Sequence, residues 1–151
     1  MTLAGWAAPR RQLRQEAADM WKINLAEVPQ QHQVWSWEGG NYERTHQHIS
    51  VALGNTKENP HPFDVELTRV PPGAAPCPVH SHSRWWEFFI VVAGQGEISR
   101  NGETFGARAG DCFLQPPNTR HRIRNLSTTE DLVYYVIANE DPASETTKHQ
   151  A

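Results

Sequence analysis

Cysteine is scarce in this chain of 151 residues: Cys77 and Cys112 are the only two, too few for a disulfide framework. Long apolar runs are missing as well. Nothing approaches the roughly 20 consecutive apolar residues a membrane span needs, and mean hydropathy is -0.66. The opening MTLAGWAAPRRQLRQEAADMW has no apolar segment ahead of a cleavage site, so it does not read as a secretory signal, and the cytoplasm is the expected location. Charge of one sign is not in excess either. Fourteen Lys and Arg against seventeen Asp and Glu leave a formal charge of -3, with the signs interspersed, which argues against nucleic-acid or anionic-membrane partners. No internal repeat and no helix-turn-helix pattern is visible. The length suits one domain with a sizeable core.

What the chain does have is a succession of strand and turn signals. Residues 9–20 are rich in Arg, Gln, Glu and Ala with few apolar positions, so residues 1–21 are expected to form a short solvated helix or an extended arm. Residues 22–28 (KINLAEV) suit an edge strand or strap. Trp35 and Trp37 stand two apart before Gly39-Gly40, suggesting packing against the body or a partner, or stacking on a ligand. Residues 48–53 (HISVAL) read as a strand, and residues 54–62 as a loop. Phe63, Val65 and Leu67 alternate with Asp64, Glu66 and Thr68, the pattern of a half-buried strand. Residues 88–93 are apolar on both faces, hence a strand covered on both sides. Asn101-Gly102 suits a type I′ hairpin turn. Further strands are expected at 112–115, 120–125 and 132–138. The domain body is set at 22–140, with a frayed tail over 141–151.

Eight histidines are present. His32, His46, His48, His61 and His149 read as surface or internally satisfied residues. His46 and His48 form an HxH pair, but no spaced carboxylate or later histidine accompanies them. His80, His82, Glu87 and His121 differ, because glycine and proline punctuation suggests adjacent strands. Residues two apart in extended backbone point to one side, so His80 and His82 can reach a common ion. Glu87 sits at odd spacing and needs a bend over residues 83–85 to join them. Imidazole and carboxylate are common ligands of transition metals, yet spacing alone leaves metal binding and ordinary histidines both open.

The motifs weigh further. Gly73-Ala-Ala-Pro-Cys-Pro-Val-His80-Ser-His82, then Glu87 and Gly94, resembles the first motif of the cupin superfamily. Gly110, Pro116-Pro-Asn118-Thr-Arg-His121 and Asn125 resemble the second. Two departures are visible: six residues rather than five separate Gly73 from His80, and Asn118 stands where the family commonly has glycine. Asn is the next best residue for a left-handed turn. The resemblance implies an all-β fold, a double-stranded β-helix or jelly-roll barrel, with one divalent transition metal per chain (Fe, Mn, Ni, Zn or Cu) held by His80, His82, Glu87 and His121. It also implies a small-molecule substrate or ligand.

Glu87 would share its face with Phe89 and Val91. The opposite face, Trp86, Phe88, Ile90 and Val92, then needs cover, and a homodimer is expected. Three neutral imidazoles and a carboxylate would leave coordination positions for water or substrate. A dioxygenase-type reaction needs little beyond apolar walls, for which Trp85, Phe89 and Phe113 are candidates. A sugar-phosphate-isomerase-type reaction needs a base and a cationic clamp. Arg84 and Arg120 are the candidates for that clamp, since Arg122 and Arg124 are expected to face away from His121. Tyr134 is a candidate pocket hydroxyl. Cys77 is expected to serve loop packing rather than ligation. A non-catalytic metal- and ligand-binding module is the competing reading.

Overall fold

The computed structural model describes residues 21–150; the arm expected over residues 1–21, apart from Trp21, lies outside them. Eleven strands follow in order: β1 Gln31–Trp37, β2 Gly40–His48, β3 Phe63–Val70, β4 His80–His82, β5 Glu87–Ala93, β6 Gln95–Arg100, β7 Glu103–Arg108, β8 Cys112–Gln115, β9 His121–Asn125, β10 Leu132–Asn139 and β11 Thr146–Lys148. They form two antiparallel sheets, ordered β1-β2-β3-β10-β5-β8 and β11-β4-β9-β6-β7. The core joins the two. Val70, Phe89, Val91, Leu132 and Tyr134 come from the first sheet, and Ile98, Ala107 and Ile123 from the second. This is the expected all-β, double-stranded β-helix.

The turns follow local chemistry. Asn101 and Gly102 both have positive φ, 50° and 89°, so β6 and β7 close through a type I′ turn as the dipeptide predicts. Asn118 adopts φ 62°, so it does take the left-handed conformation commonly left to glycine. Gly94 turns the chain from the first sheet into the second at φ 78°, and a Cβ there would strike the Asp131 carbonyl and lie 3.0 Å from the Leu132 Cα.

Four expectations need correction. Residues 22–28 are not a strand: Leu25–Glu27 form a 3-10 turn, capped by Asn24 accepting from the Ala26 N–H at 2.9 Å. The Gln47 amide reaches over to donate to the carbonyls of Leu25 and Val28, which pins the turn to the sheet. Residues 48–53 do not continue as a strand. Ile49–Ala52 form a helical turn, α1, because Ser50 is buried beside the Asp64 carboxylate and accepts from the Val65 N–H at 3.2 Å. The tail is not frayed throughout, since β11 pairs with β4, Thr146 opposite His82 and Lys148 opposite His80. Finally, the polar half of β3 is the inner half. Glu66, Thr68 and Val70 are buried, as is Leu67 on the opposite face, whereas Phe63 is exposed. Alternation located the strand but not which face turns inward.

Candidate metal centre

His80 and His82 lie on β4, His121 opens β9 and pairs with His80 in register, and Glu87 opens β5 in the other sheet. The bend over residues 83–86 carries the chain across, as the odd spacing requires. The ring centroids of His80 and His121 are 4.4 Å apart, and those of His80 and His82 4.9 Å. Glu87 Oε2 lies 2.8 Å from His121 Nε2 and 3.3 Å from His82 Nε2. One ligand atom from each of the four residues falls within 4.8 Å of every other.

The opposite ring nitrogens are already engaged. His80 Nδ1 is 3.0 Å from the Pro78 carbonyl, His121 Nδ1 2.9 Å from the Thr119 carbonyl, and His82 Nδ1 2.8 Å from Thr146 Oγ1. A carbonyl partner requires a proton on Nδ1, so His80 and His121 would offer Nε2 to an ion as a lone pair. His82 Nε2, His121 Nε2 and Glu87 Oε2 are nevertheless buried without a hydrogen-bond partner. Buried polar atoms are nearly always paired. Ligands about 2.0–2.2 Å from a common ion stand roughly 3 Å apart, the spacing of Glu87 Oε2 from His121 Nε2 and His82 Nε2. The donor set therefore fits a divalent transition metal.

Electrostatics agree. Burial and then the neighbouring His121 lower the His80 pKa to about 4, against the pull of Glu87, so its imidazole is neutral near pH 7. Burial alone would raise the Glu87 carboxyl, but the facing imidazoles of His121 and His82 outweigh it and hold it well below the ordinary range. Cys77 is pushed up to about 12 by burial, keeping a neutral thiol 3.5 Å from His80 Nδ1. That suits packing, as expected.

The cluster opens on an inner chamber of about 80 Å³ and an outer mouth of about 370 Å³. Phe89 and Phe113 stack at 4.7 Å in the chamber wall, with Tyr134 beside Phe89. Trp85 stands at the mouth, its ring 4.9 Å from His82 and its indole N–H donating to the Asp141 carbonyl. These four expected pocket residues are at the site. The two expected arginines are not. Arg84 is 60% exposed beside Asp141, and the exposed Arg120 is held at the Asn101 turn by its backbone. Among the described residues, Arg44 borders the chamber and Lys148 the mouth, while Arg122 alternates with the buried His121 and Ile123 along β9. Lys148 Nζ sits 4.6 Å over Trp35, which lines the mouth, and 5.9 Å from the centre of the Trp37 ring.

One grouping escaped the sequence. His46 and His48 do have a carboxylate: β2 pairs with β3, placing His48 opposite Glu66 and His46 opposite Thr68. Seventeen residues separate His48 from Glu66 in sequence, and α1 with a turn-rich loop lies between, so no motif spacing announces the contact. The period-two run Arg44, His46, His48 was the available signal.

A cupin-domain model matches residues 66–138. The chain is 40% identical over 70 residues to the oxidoreductase macE of Penicillium terrestre, a stretch covering 45% of this chain and 27% of that protein. It is 41% identical over 51 residues to the polyketide synthase CurC of Streptomyces cyaneus, covering 34% and 33%. The chain thus spans a third or less of either relative's length in these matches. Among solved structures, a sugar phosphate isomerase of the cupin superfamily from Silicibacter pomeroyi superposes with a TM-score of 0.71 at 20% identity, over 86% of this chain and 82% of the other. A predicted oxalate decarboxylase from Thermotoga maritima gives 0.62 at 20% identity, over 78% and 97%. At such identity these likenesses speak for the fold. Motifs, barrel and family match agree: the chain carries a cupin domain over residues 66–138, in a fold shared with cupin-superfamily structures.

Proposed function

We propose that this cupin is a metal-dependent enzyme acting on a small molecule, of dioxygenase-like type. The observation that carries the reading is the convergence of unpartnered Nε2 and Oε2 atoms at the edge of a chamber with one apolar wall. His80, His82, Glu87 and His121 would hold the ion, which supplies Lewis acidity and, if iron, nickel or copper, redox chemistry. Around it the protein does four things. The bonds to Pro78, Thr119 and Thr146 fix the imidazoles. Glu87 contributes the single negative charge. Phe89, Phe113, Ile98 and Val136 exclude water from the reacting end. Trp85, Trp35 and Lys148 line the space for the remainder of the molecule. A chamber of about 80 Å³ admits only a few heavy atoms, so a small coordinating group enters while the bulk stays at the mouth.

The isomerase-like reading requires a phosphate clamp, and the displacement of Arg84 and Arg120 from the site weakens it. Arg44 is already paired with Glu66. The outer face of β5 supports the proposal of a homodimer, since Trp86, Phe88 and Val92 are exposed there in the single chain.

The deciding experiment is elemental analysis of protein purified without added metal, alongside His82→Ala. Tightly held iron, nickel or copper, lost in the variant and accompanied by oxygen uptake on enediols or flavonols, is the expected result. Zinc or manganese with aldose–ketose exchange would favour isomerisation. Ligand-dependent thermal shifts with no turnover across a broad panel would reduce the protein to a binding module.

A further inference from the structure

His46, His48 and Glu66 share the inner face of β2 and β3, and His48 and Glu66 line the same mouth as the first cluster. We propose that these three residues form a second site for a divalent transition ion, distinct from the centre at His80, His82, Glu87 and His121.

Glu66 Oε2 faces two imidazoles, 3.0 Å from His46 Nδ1 and 3.3 Å from His48 Nδ1. The ligand atoms of the three residues lie within 4.8 Å of one another. The other carboxylate oxygen is taken: Thr68 Oγ1 donates to Oε1 at 2.6 Å, and the Arg44 guanidinium stands 3.5 Å from it. The carboxylate is thus locked by one oxygen and presents the second to the histidines, the outer support that ligating carboxylates receive elsewhere.

An ordinary hydrogen-bonded network accounts for only part of this. His46 Nδ1 does bond Glu66, and that bond would give way to ligation with the proton left on Nε2, itself buried without a hydrogen-bond partner. His48 Nδ1, by contrast, is buried and has no hydrogen-bond partner despite lying 3.3 Å from the carboxylate oxygen. The same signature marks the first centre, where nitrogens close to Glu87 Oε2 are likewise unpartnered. His46 is only 2% exposed, so its ring is fixed by packing rather than by solvent. Two imidazoles and one carboxylate suit borderline ions such as zinc, cobalt or ferrous iron over calcium or magnesium. Three protein ligands leave positions open toward the mouth, where His48 is partly exposed. Arg44 opposes a further positive charge, so this ion binds more weakly than the first and leaves earlier on dialysis against a chelator.

The test uses the full chain, stripped, loaded with zinc alone, desalted and analysed for metal. Wild type is expected to hold about two equivalents per chain, Glu66→Gln and His82→Ala about one each, and the double variant essentially none. His48→Ala, at the partly exposed member, removes the same equivalent with less disturbance of the core than a change at Glu66. Zinc should raise the unfolding midpoint of His82→Ala and fail to do so once Glu66→Gln is added. If wild type takes up one equivalent that His82→Ala abolishes, or if Glu66→Gln and His48→Ala keep the wild-type content, the second site does not exist and the three residues are a hydrogen-bonded network. Loss of the His82-dependent equivalent alone would instead count against the first centre.

Discussion

Thr146 shows how a residue outside the ligand set can decide the chemistry of one inside it. Its hydroxyl is 2.8 Å from His82 Nδ1 and fixes the ring that must offer Nε2. Replacing Thr146 with Val keeps shape and removes the bond. We expect metal affinity to fall about 10–100-fold with the unfolding midpoint of the metal-free protein nearly unchanged; competition against a chromogenic chelator reads it, and unchanged affinity would show the bond to be incidental. Titration behaves as predictably. Free His80 protonates near 6.5, whereas in the folded protein it stays neutral to about 4. Glu66 and Glu87 are both held below their usual 4.5. Burial would raise Glu66, but the bond from His46, the Arg44 charge and the bond from Thr68 prevail. In all three cases the unfolded chain binds more protons, so stability rises with pH. Metal-free protein should therefore lose stability from 6.5 down to about 4 through His80, and further below 4.5 through the carboxylates. Urea midpoints across that range measure it, and a flat profile would contradict the burial argument for His80.

At the scale of elements, the junction between β5 and β6 is the tightest constraint. Gly94 combines φ 78° with a backbone neighbour where a Cβ would sit. Gly94→Ala should cost at least about 2 kcal/mol, measured by denaturant unfolding. The same change at Gly102, whose added Cβ meets nothing within 4 Å, should cost less, its penalty being confined to the turn conformation. Equal costs would mean that φ strain, not the collision with Asp131, governs both. The short strands β4 and β11 teach a related lesson. Neither has length or apolar content enough to be found by periodicity, yet their pairing sets His80 opposite Lys148 and His82 opposite Thr146. The two misread segments, residues 22–28 and 48–53, failed for a similar reason. A cap at Asn24 and the buried Ser50 beside Asp64 outweigh β-propensity over stretches this short.

For the whole molecule, assembly turns on the outer face of the first sheet. Trp86 is 49% and Val92 45% exposed, with Phe88 on β5 and, opposite it on β8, Leu114 exposed beside them. If this face joins two copies, Trp86→Glu should convert the protein from dimer to monomer in light scattering and leave metal content intact. A wild-type monomer would remove the proposal.

The amino-acid order was enough for the strands at residues 63–70, 88–93, 112–115, 121–125 and 132–138, the type I′ turn at Asn101-Gly102 and the left-handed Asn118, and the motif resemblance singled out the four side chains that converge. Each is encoded within a few residues or within a motif whose members keep fixed offsets. Tertiary structure alone decided that Glu66 and Thr68 of β3 line the chamber, that Arg44 borders it while Arg84 and Arg120 do not, and that Glu66 joins His46 and His48. Those facts depend on which strand lies beside which and on how far a long side chain reaches. Local sequence carries no record of either, because cross-strand neighbours are chosen by packing of the entire barrel.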